Sequence, residues 1–193
     1  DSVTTIGDCA FRDCNSLTNV TIPGSVRTIG DYVFGSCSSL QEFKGKFASE
    51  DGRCLIIDGT LNSFAPAGLT EYTIPDSVTT IGDYAFDNCH SLTCVTIPDS
   101  VTTIGYHAFS YCSSLISTTI TNGVTTVEDY AFWHCESLTD VALPNSVATI
   151  GNWAFECCSS LTSVAIGNGV TEIGIMAFLD CTSLTNVYCK AIT

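Results

Sequence analysis

Positive charge is scarce in this sequence, and long apolar runs are missing. The 193 residues include six lysines and arginines against 20 aspartates and glutamates, which leaves a formal net charge of −14. A chain with this net charge repels nucleic acid and anionic membrane surfaces, so neither is an expected partner. No apolar run approaches the roughly 18 residues that span a bilayer. We therefore expect a soluble chain with no direct membrane insertion.

Motifs of catalysis and metal binding are also missing. The chain has no G-x-S-x-G nucleophile motif, no phosphate-binding glycine loop, no H-E-x-x-H and no C-x-x-C pair. His134 and Cys157 lie 23 residues apart at the same repeat position, but two ligands do not make a zinc site. The sequence therefore predicts no catalytic residues, no metal and no cofactor, and the chain is not expected to be an enzyme.

One repeated unit dominates the chain. Equivalent valines recur every 23 residues, except for one interval of 52 residues, which is two periods plus six. These valines are Val3, Val26, Val78, Val101, Val124, Val147 and Val170. The consensus is V-T-x-I-G-D-x-A-F-x-x-C-x-S-L-T-x-V-x-I-P-x-S. Seven regular units and one altered unit cover the sequence, so it predicts a repeat architecture.

Each repeat position keeps one class of side chain, which is typical of stacked coils. The alternation of Val95, Thr96 and Ile97 indicates a short strand with one buried face. We therefore predict a solenoid with a parallel sheet of one short strand per coil and short helices or turns on the opposite side. An acidic or amide side chain precedes the turn in five coils, where it is expected to cap a helix: Asp8, Asp31, Asp83, Asp129 and Asn152.

Seven of the 12 cysteines share one repeat position: Cys14, Cys37, Cys89, Cys112, Cys135, Cys158 and Cys181. Stacked side chains about 5 Å apart with parallel Cα–Cβ vectors do not suit a disulfide, so buried free thiols are predicted. The other five are scattered; Cys94 is expected to face outward, and Cys189 replaces an inward isoleucine. So many free thiols favour a reducing habitat.

The pattern L-T-x-V-x-I-P-x-S-V-T-x-I-G-x-x-A-F-x-x-C resembles the BspA-like, or Treponema pallidum-type, leucine-rich repeats. The resemblance extends over the whole chain and implies a right-handed leucine-rich-repeat solenoid, a single domain of eight units over 1–193. It also implies an extracellular, secreted or cell-surface protein of a host-associated microbe, with a role in adhesion to host matrix, cells or glycans. Because the shared residues are scaffold residues, no particular ligand is implied.

Two sets of residues depart from the scaffold and are candidate binding sites. The first is the outward row of the strands, with Asn19, Glu42, Glu71, Thr96, Asp140, Asn186 and the aromatic Tyr188. The alternative is that threonine is present there only because of its strand propensity. The second is an insertion over residues 43–68, predicted as a β-meander, with Lys44, Lys46 and Arg53 as candidates. It is either a recognition loop or a spacer that bends the solenoid.

A column of mostly aromatic side chains lies in the turns: Cys9, Tyr32, Tyr84, His107, Tyr130, Trp153 and Met176. It is interpreted either as a shield for the core or as a stripe for lateral packing.

The sequence favours a module that binds an extracellular protein or glycan, and the alternative is a structural spacer of a larger surface protein. The first residues contain no starting Met and no signal-like segment, and they begin partway through a repeat. We therefore expect a fragment without terminal caps, whose exposed strand edges allow end-to-end self-association.

Overall fold

The computed structural model describes residues 2–189 as a continuous stack of coils built from short strands and tight turns. In chain order the strands are β1 (Thr5–Ile6), β2 (Asn19–Ile22), β3 (Thr28–Ile29), β4 (Glu42–Gly45), β5 (Cys54–Ile57), β6 (Thr60–Phe64), β7 (Glu71–Thr73), β8 (Thr80–Ile81), β9 (Cys94–Thr96), β10 (Thr103–Ile104), β11 (Ser117–Thr119), β12 (Thr126–Val127), β13 (Asp140–Leu143), β14 (Thr149–Ile150), β15 (Ser163–Ile166), β16 (Glu172–Ile173) and β17 (Asn186–Cys189). Residues 2–189 contain turns and no helix, so the helical part of the prediction is wrong. None of their segments is a bilayer-crossing helix.

Regular coils contribute two strands each, one more than predicted. The face strands are β2, β4, β7, β9, β11, β13, β15 and β17, and they pair in parallel within three groups, β2–β4, β7–β9–β11 and β13–β15–β17. The side strands are the two-residue strands at the Thr-x-Ile part of the repeat. From β8 to β16 they form a parallel ladder, which β6 extends in parallel and β5 ends in antiparallel orientation. The predicted parallel stacking of equivalent residues is confirmed.

The turn segments connect a side strand to the next face strand, and the segment after β8 is typical. Within it, Ala85 N–H donates to Gly82 O and Asp87 N–H donates to Tyr84 O, which closes two successive tight turns. The alternate amides point to the next coil instead: Tyr84 N–H reaches Tyr106 O at 2.9 Å. Backbone hydrogen bonds therefore link the coils on the turn side without a regular strand or helix.

This backbone requires two left-handed residues in each regular coil. The first column has φ between 52° and 58° and comprises Cys9, Tyr32, Tyr84, His107, Tyr130, Trp153 and Met176. The second has φ between 56° and 59° and comprises Asp13, Ser36, Asn88, Tyr111, His134, Cys157 and Asp180. Non-glycine residues in this region cost about 1–2 kcal/mol each. In ten of these 14 residues an inter-coil hydrogen bond from the residue's own amide offsets that cost.

The acidic column does not cap helices; it links coils, which corrects the prediction. Asp83 Oδ1 accepts the amide of Tyr106 at 2.9 Å, and Asp129 Oδ1 accepts that of Asn152 at 2.6 Å. The acceptor is therefore one coil away from its donor. An amide oxygen serves equally well, since Asn152 Oδ1 accepts the amide of Ile175 at 2.7 Å.

The interior consists of in-register columns, as predicted. The stacked phenylalanines run from Phe86 to Phe178 with ring centroids 4.8–5.2 Å apart and nearly parallel planes. The cysteine column is buried from Cys37 to Cys181, and Cys14 in the first described coil is exposed. Five of its thiols donate to a phenylalanine carbonyl 26 residues earlier, as Cys112 does to Phe86 O at 3.1 Å. Cys189, predicted to face inward, is exposed in the last described coil.

The insertion forms a two-stranded hairpin rather than a regular three-stranded meander. β5 and β6 pair in antiparallel fashion around Asp58 and Gly59, whose φ values of 48° and 81° fit a type I′ turn. A single antiparallel bridge between Ala48 and Leu55 is all that remains of the expected third strand. Leu61 pairs with Ile81 and so occupies the inward position of a side strand. The insertion is therefore part of the solenoid wall.

Candidate ligand-binding surfaces

The face strands present the predicted outward residues in three separate clusters. Asn19 and Glu42 are register partners on β2 and β4. Glu71 and Thr96 lie on neighbouring strands of the second group, and Asp140, Asn186 and Tyr188 lie on the third. All are exposed except Glu42, which is partly buried. The side chains of this row point to solvent, but the seven residues do not converge on one site.

Threonine hydroxyls on the face strands differ from those elsewhere in the coil. Outside the face row they form ladders, as Thr162 Oγ1 donates to Thr139 O at 3.1 Å and Thr102 Oγ1 to Thr79 O at 3.1 Å. Thr73, Thr96 and Thr119 are exposed register partners, and within residues 2–189 their hydroxyls form no such bond. These three hydroxyls are therefore available to a ligand.

The third group of face strands also carries an exposed carboxylate with a local partner. The Ser163 hydroxyl donates to Asp140 Oδ1 at 2.5 Å, and this bond, with one from Thr139, lowers the pKa of Asp140. Asp140 is therefore ionised at neutral pH and remains accessible to a hydrogen-bond donor.

The three candidate cations of the insertion have partners in the protein. Lys46 Nζ donates to Val26 O at 2.7 Å and lies 4.5 Å from the Phe47 ring centroid. Arg53 donates to the carbonyls of Ala65 and Ala67 at 3.3 and 3.0 Å. Only Lys44 extends from the face row, with its Nζ 2.9 Å from Glu42. Lys46 and Arg53 therefore hold the insertion in place.

A polar cluster joins the hairpin to β7, with Cys54 and Tyr72 buried and Asp51 exposed. The Tyr72 hydroxyl donates to Asp51 Oδ2 at 3.0 Å and lies 3.2 Å from Cys54 Sγ. Burial raises the pKa of Tyr72, and it raises the pKa of the Cys54 thiol to about 12. Burial also raises the pKa of Asp51, but hydrogen bonds from Ser49, Arg53 N–H and Tyr72 outweigh it and leave the pKa below its ordinary value. The cluster fixes the hairpin to β7 through side-chain hydrogen bonds.

The aromatic column on the turn side is a continuous stack of rings. Tyr84, His107, Tyr130 and Trp153 follow one another with centroids 4.6–5.1 Å apart and planes within 8°. Tyr106 and Trp133 meet this stack edge-on. Such pairs contribute about 0.5–1.5 kcal/mol each beyond their buried area.

This stack also crosses the altered coil. Tyr32 and Tyr84 are 52 residues apart, and their ring centroids lie 4.4 Å apart. The Tyr32 hydroxyl donates to Asp87, whose carboxylate is 8% exposed, and Asn88 Nδ2 donates to Ser36 Oγ at 3.1 Å. Burial and the bond to Asp87 raise the pKa of Tyr32 to about 12, and burial raises that of Asp87. Sequence spacing gave no sign of this contact, because the coil between the two residues has a shortened turn.

An open groove lies over this junction, with a volume of about 390 Å³. Its walls include the carboxylates of Asp8, Asp31 and Asp87, the rings of Tyr32, Tyr84, Tyr111 and Trp133, and the guanidinium of Arg12. We call it the turn groove.

One serine–histidine pair lies beside this groove, but its geometry does not support nucleophilic catalysis. His107 Nδ1 is 2.5 Å from Ser110 Oγ, and burial lowers the pKa of His107 to about 4. The neutral ring could act as a base, but Ser110 is 0% exposed. A substrate carbonyl therefore cannot approach the hydroxyl, as acyl transfer would require.

One cluster of metal-type ligands was missed from the sequence. Side-chain ligand atoms of Glu156, Cys157 and Asp180 lie within 4.8 Å of one another. Asp180 follows His134 and Cys157 in one repeat column, and Glu156 is the chain neighbour of Cys157. Burial raises the pKa of the Cys157 thiol, and the nearby carboxylates of Glu156 and Asp180 raise it further. His134 lies in the same column, but its Nδ1 is 3.3 Å from Glu136.

Comparison with known families and structures agrees with this geometry. The family model described as BspA type leucine rich repeat region matches six copies over residues 1–49 and 60–190. The chain belongs to the BspA-type leucine-rich repeat family. The gap between the two matched ranges falls within the insertion and includes β5. Proteins of this repeat family and fold are typically non-enzymatic. Among proteins of curated function, none matches the chain.

Solved structures of other BspA-type and leucine-rich repeat proteins share the fold. A leucine rich cell surface protein of Faecalibacterium prausnitzii is 30% identical with a TM-score of 0.86, over 99% of this chain and 52% of that one. A leucine-rich repeat protein of T. pallidum is 33% identical with a TM-score of 0.64, over 76% of this chain and 71% of that one. The pneumococcal vaccine antigen PcpA, at 22% identity and a TM-score of 0.82 over 100% and 50% of the two chains, shares the fold alone. This BspA-type chain therefore spans about half the length of the Faecalibacterium protein.

Proposed function

We propose that this chain is a non-enzymatic binding module that presents its face strands to an extracellular protein or glycan. The observation that carries the proposal is the row Thr73, Thr96 and Thr119, with one exposed hydroxyl per coil and no side-chain hydrogen bond within residues 2–189. Parallel strands place such groups about 4.8 Å apart. An extended polypeptide or glycan can therefore bond to successive coils.

A location outside the cell or on its surface is part of the same proposal. BspA-type repeats occur in surface-associated proteins, and the Faecalibacterium relative is named a cell surface protein. An adhesive role toward a host ligand is consistent with that location. The net charge of −14 favours a neutral or cationic ligand over an anionic one.

A purely structural spacer is the second candidate, and the insertion favours it. Lys46 and Arg53 bond backbone carbonyls, and Phe43, Leu55 and Leu61 are at most 1% exposed. Deleting residues 43–68 would therefore damage the core, so it would not test recognition.

A binding screen on the intact chain, against immobilised matrix proteins and a glycan array, tests the proposal. The informative variant is Thr96→Arg, which places a long cation in the middle of the face row. We expect it to weaken binding to any ligand found by at least about tenfold, since the side chain blocks the contact.

The matched control is Thr102→Arg, an exposed threonine next to a side strand. It makes the same charge change and also loses the Thr102–Thr79 ladder bond. Affinity should then stay within about twofold of wild type. Equal weakening by both variants would exclude the face row as the site. A screen with no ligand for the folded wild type would favour the spacer.

A further inference from the structure

The turn groove exists because the altered coil has a shortened turn. Eight residues separate the inward Leu61 from Leu69, whereas 11 separate Ile81 from Leu92 in a regular coil. The turn surface of the coil between Tyr32 and Tyr84 is therefore reduced, and the two tyrosines stack directly across it. No other turn segment within residues 2–189 carries such a deletion, so the groove is a single site in an otherwise periodic surface.

The groove combines negative charge with aromatic walls. Asp8 and Asp31 are exposed at its rim, and Asp87 lies at its base. Three carboxylates thus face one cation, Arg12. His107, whose pKa burial lowers to about 4, is neutral at physiological pH and does not offset that charge. Carboxylates beside aromatic rings are the surroundings that attract ammonium and guanidinium groups.

The protein already places one guanidinium against this wall. Arg12 Cζ lies 4.5 Å from the centroid of the Tyr32 ring, and Arg12 Nε lies 3.4 Å from Asp13. Both Arg12 and Asp13 remain about half exposed, with side-chain accessibilities of 48% and 62%. The contact shows that the ring accepts a cation, and Asp8, Asp31 and Asp87 leave an excess of two negative charges in the groove.

We propose that the turn groove binds arginine and lysine side chains of a basic segment on a partner protein. The exposed carboxylates of Asp8 and Asp31 pair with the cations, buried Asp87 adds negative charge beneath them, and the rings of Tyr111 and Trp133 pack against the aliphatic stems of the cations. The overall charge of −14 steers such a segment toward the protein. The groove contains no residue of the face row, so it is a second binding surface. The outcome of its binding test is therefore independent of the outcome of the Thr96→Arg test.

A labelled hexa-arginine peptide is the probe, with its affinity for the intact chain measured by fluorescence anisotropy at two salt concentrations. The key variant is Asp8→Asn/Asp31→Asn, which removes two charges from the rim. Asn152 occupies the same repeat position and accepts the same inter-coil bond, so the fold tolerates asparagine there. We expect an affinity loss of about tenfold. Hexa-arginine should also bind more tightly than hexa-lysine, because guanidinium stacks on rings.

The matched control is Asp76→Asn/Asp99→Asn, which removes two exposed charges outside the groove. Asn145 occupies that repeat position. The affinity of this control variant for hexa-arginine should stay within about twofold of the wild-type affinity. Equal loss in both double variants would mean general electrostatic attraction and would overturn the proposal, as would failure of the wild-type chain to bind the peptide.

A second variant is expected to raise the affinity for hexa-arginine instead of lowering it. Arg12→Gln removes the competing internal cation, so hexa-arginine should bind about threefold more tightly. Weaker binding of hexa-arginine to the Arg12→Gln variant would mean that Arg12 does not compete with the peptide for the groove and would overturn the proposal. Displacement of bound hexa-arginine from wild type by a neutral oligosaccharide would show that the groove is a glycan site instead.

Discussion

At the scale of single residues, the glycine that follows most side strands determines how closely coils approach. A Cβ on Gly105 would lie 2.7 Å from Ile81 O and 2.7 Å from Asp83 Oδ1, below ordinary contact distances. Gly105→Ala should therefore lower the free energy of unfolding by about 1–3 kcal/mol, the usual cost of overpacking. Urea denaturation followed by circular dichroism measures the loss.

Gly7→Ala is the matched control for that prediction. Gly7 occupies the same repeat position in the first coil, and nothing lies within 4 Å of its added Cβ. Its free energy of unfolding should change by less than about 0.5 kcal/mol. Equal losses at both positions would mean that the backbone, and not the neighbouring coil, requires glycine. Glu128 stands at this position in another coil, and nothing in its surroundings explains it.

Inward columns were predictable at this scale, and backbone details were not. Phe, Leu and Cys recur at a fixed period, and only stacked coils satisfy that pattern. Tyr84 and Trp153 have left-handed backbone, a region that bulky side chains rarely adopt, so no sequence rule indicates it. The Asp83 carboxylate accepts an amide 23 residues away, whereas capping rules consider only local partners.

At the scale of elements, the cysteine column is a ladder of neutral thiols. Burial raises the pKa of Cys135 and Cys158 well above the ordinary thiol value, and each thiol donates to a phenylalanine carbonyl. A raised folded pKa means that stability is fully present below the unfolded pKa of about 8.5 and is lost as pH rises above it. Above that pH, each buried thiol should lower the free energy of unfolding by about 1.4 kcal/mol per pH unit.

Unfolding free energies between pH 7 and pH 10, measured under reducing conditions, test this ladder. Cys135→Ala/Cys158→Ala should reduce the alkaline slope by about 2.7 kcal/mol per pH unit. It should also lower stability at pH 7, because two hydrogen bonds are lost. Cys14→Ala, at the exposed first position of the column, is the matched control because it removes an exposed thiol. A double variant with the wild-type slope would contradict the ladder.

Which elements were predictable follows from the range of their contacts. The face strands follow from local alternation, and the Asp58–Gly59 hairpin follows from a turn signal. The side ladder was missed because two-residue strands such as β10 carry no periodicity. The turn groove was missed because it needs three residues deleted in one coil to bring Tyr32 against Tyr84. The sequence around Tyr32 and Tyr84 does not indicate that the turn between them is shorter.

At the scale of the whole molecule, the insertion divides the core into two. One cluster runs from Ile22 to Phe43 and includes Leu55, and the other begins at Cys54 and continues to Cys181. The pairing of the face strands is interrupted at the insertion, since β4 does not pair with β7. The pairing of the side strands is interrupted there too, since β3 does not pair with β6. The links that remain are isolated backbone bonds, such as Ala67 N–H to Leu40 O at 2.9 Å, and side-chain contacts, such as Tyr32 with Tyr84 and Asn62 Nδ2 with Gly30 O at 3.0 Å. Solenoid stability is a sum over neighbouring coils, so a weak interface lets one end open alone.

Hydrogen exchange followed by mass spectrometry should therefore resolve two units. Amides between β2 and β4 should exchange faster than those between β9 and β14, because their coils share an interrupted interface. Leu55→Ala, which cuts a 0%-exposed side chain in the first cluster, should cost about 2–5 kcal/mol and accelerate exchange only before the hairpin. Leu115→Ala makes the same cut in the second cluster and should accelerate exchange from β8 onward. If either substitution accelerated exchange equally along the chain, the coils would form one cooperative unit, and the isolated links across the insertion would be as strong as a strand ladder.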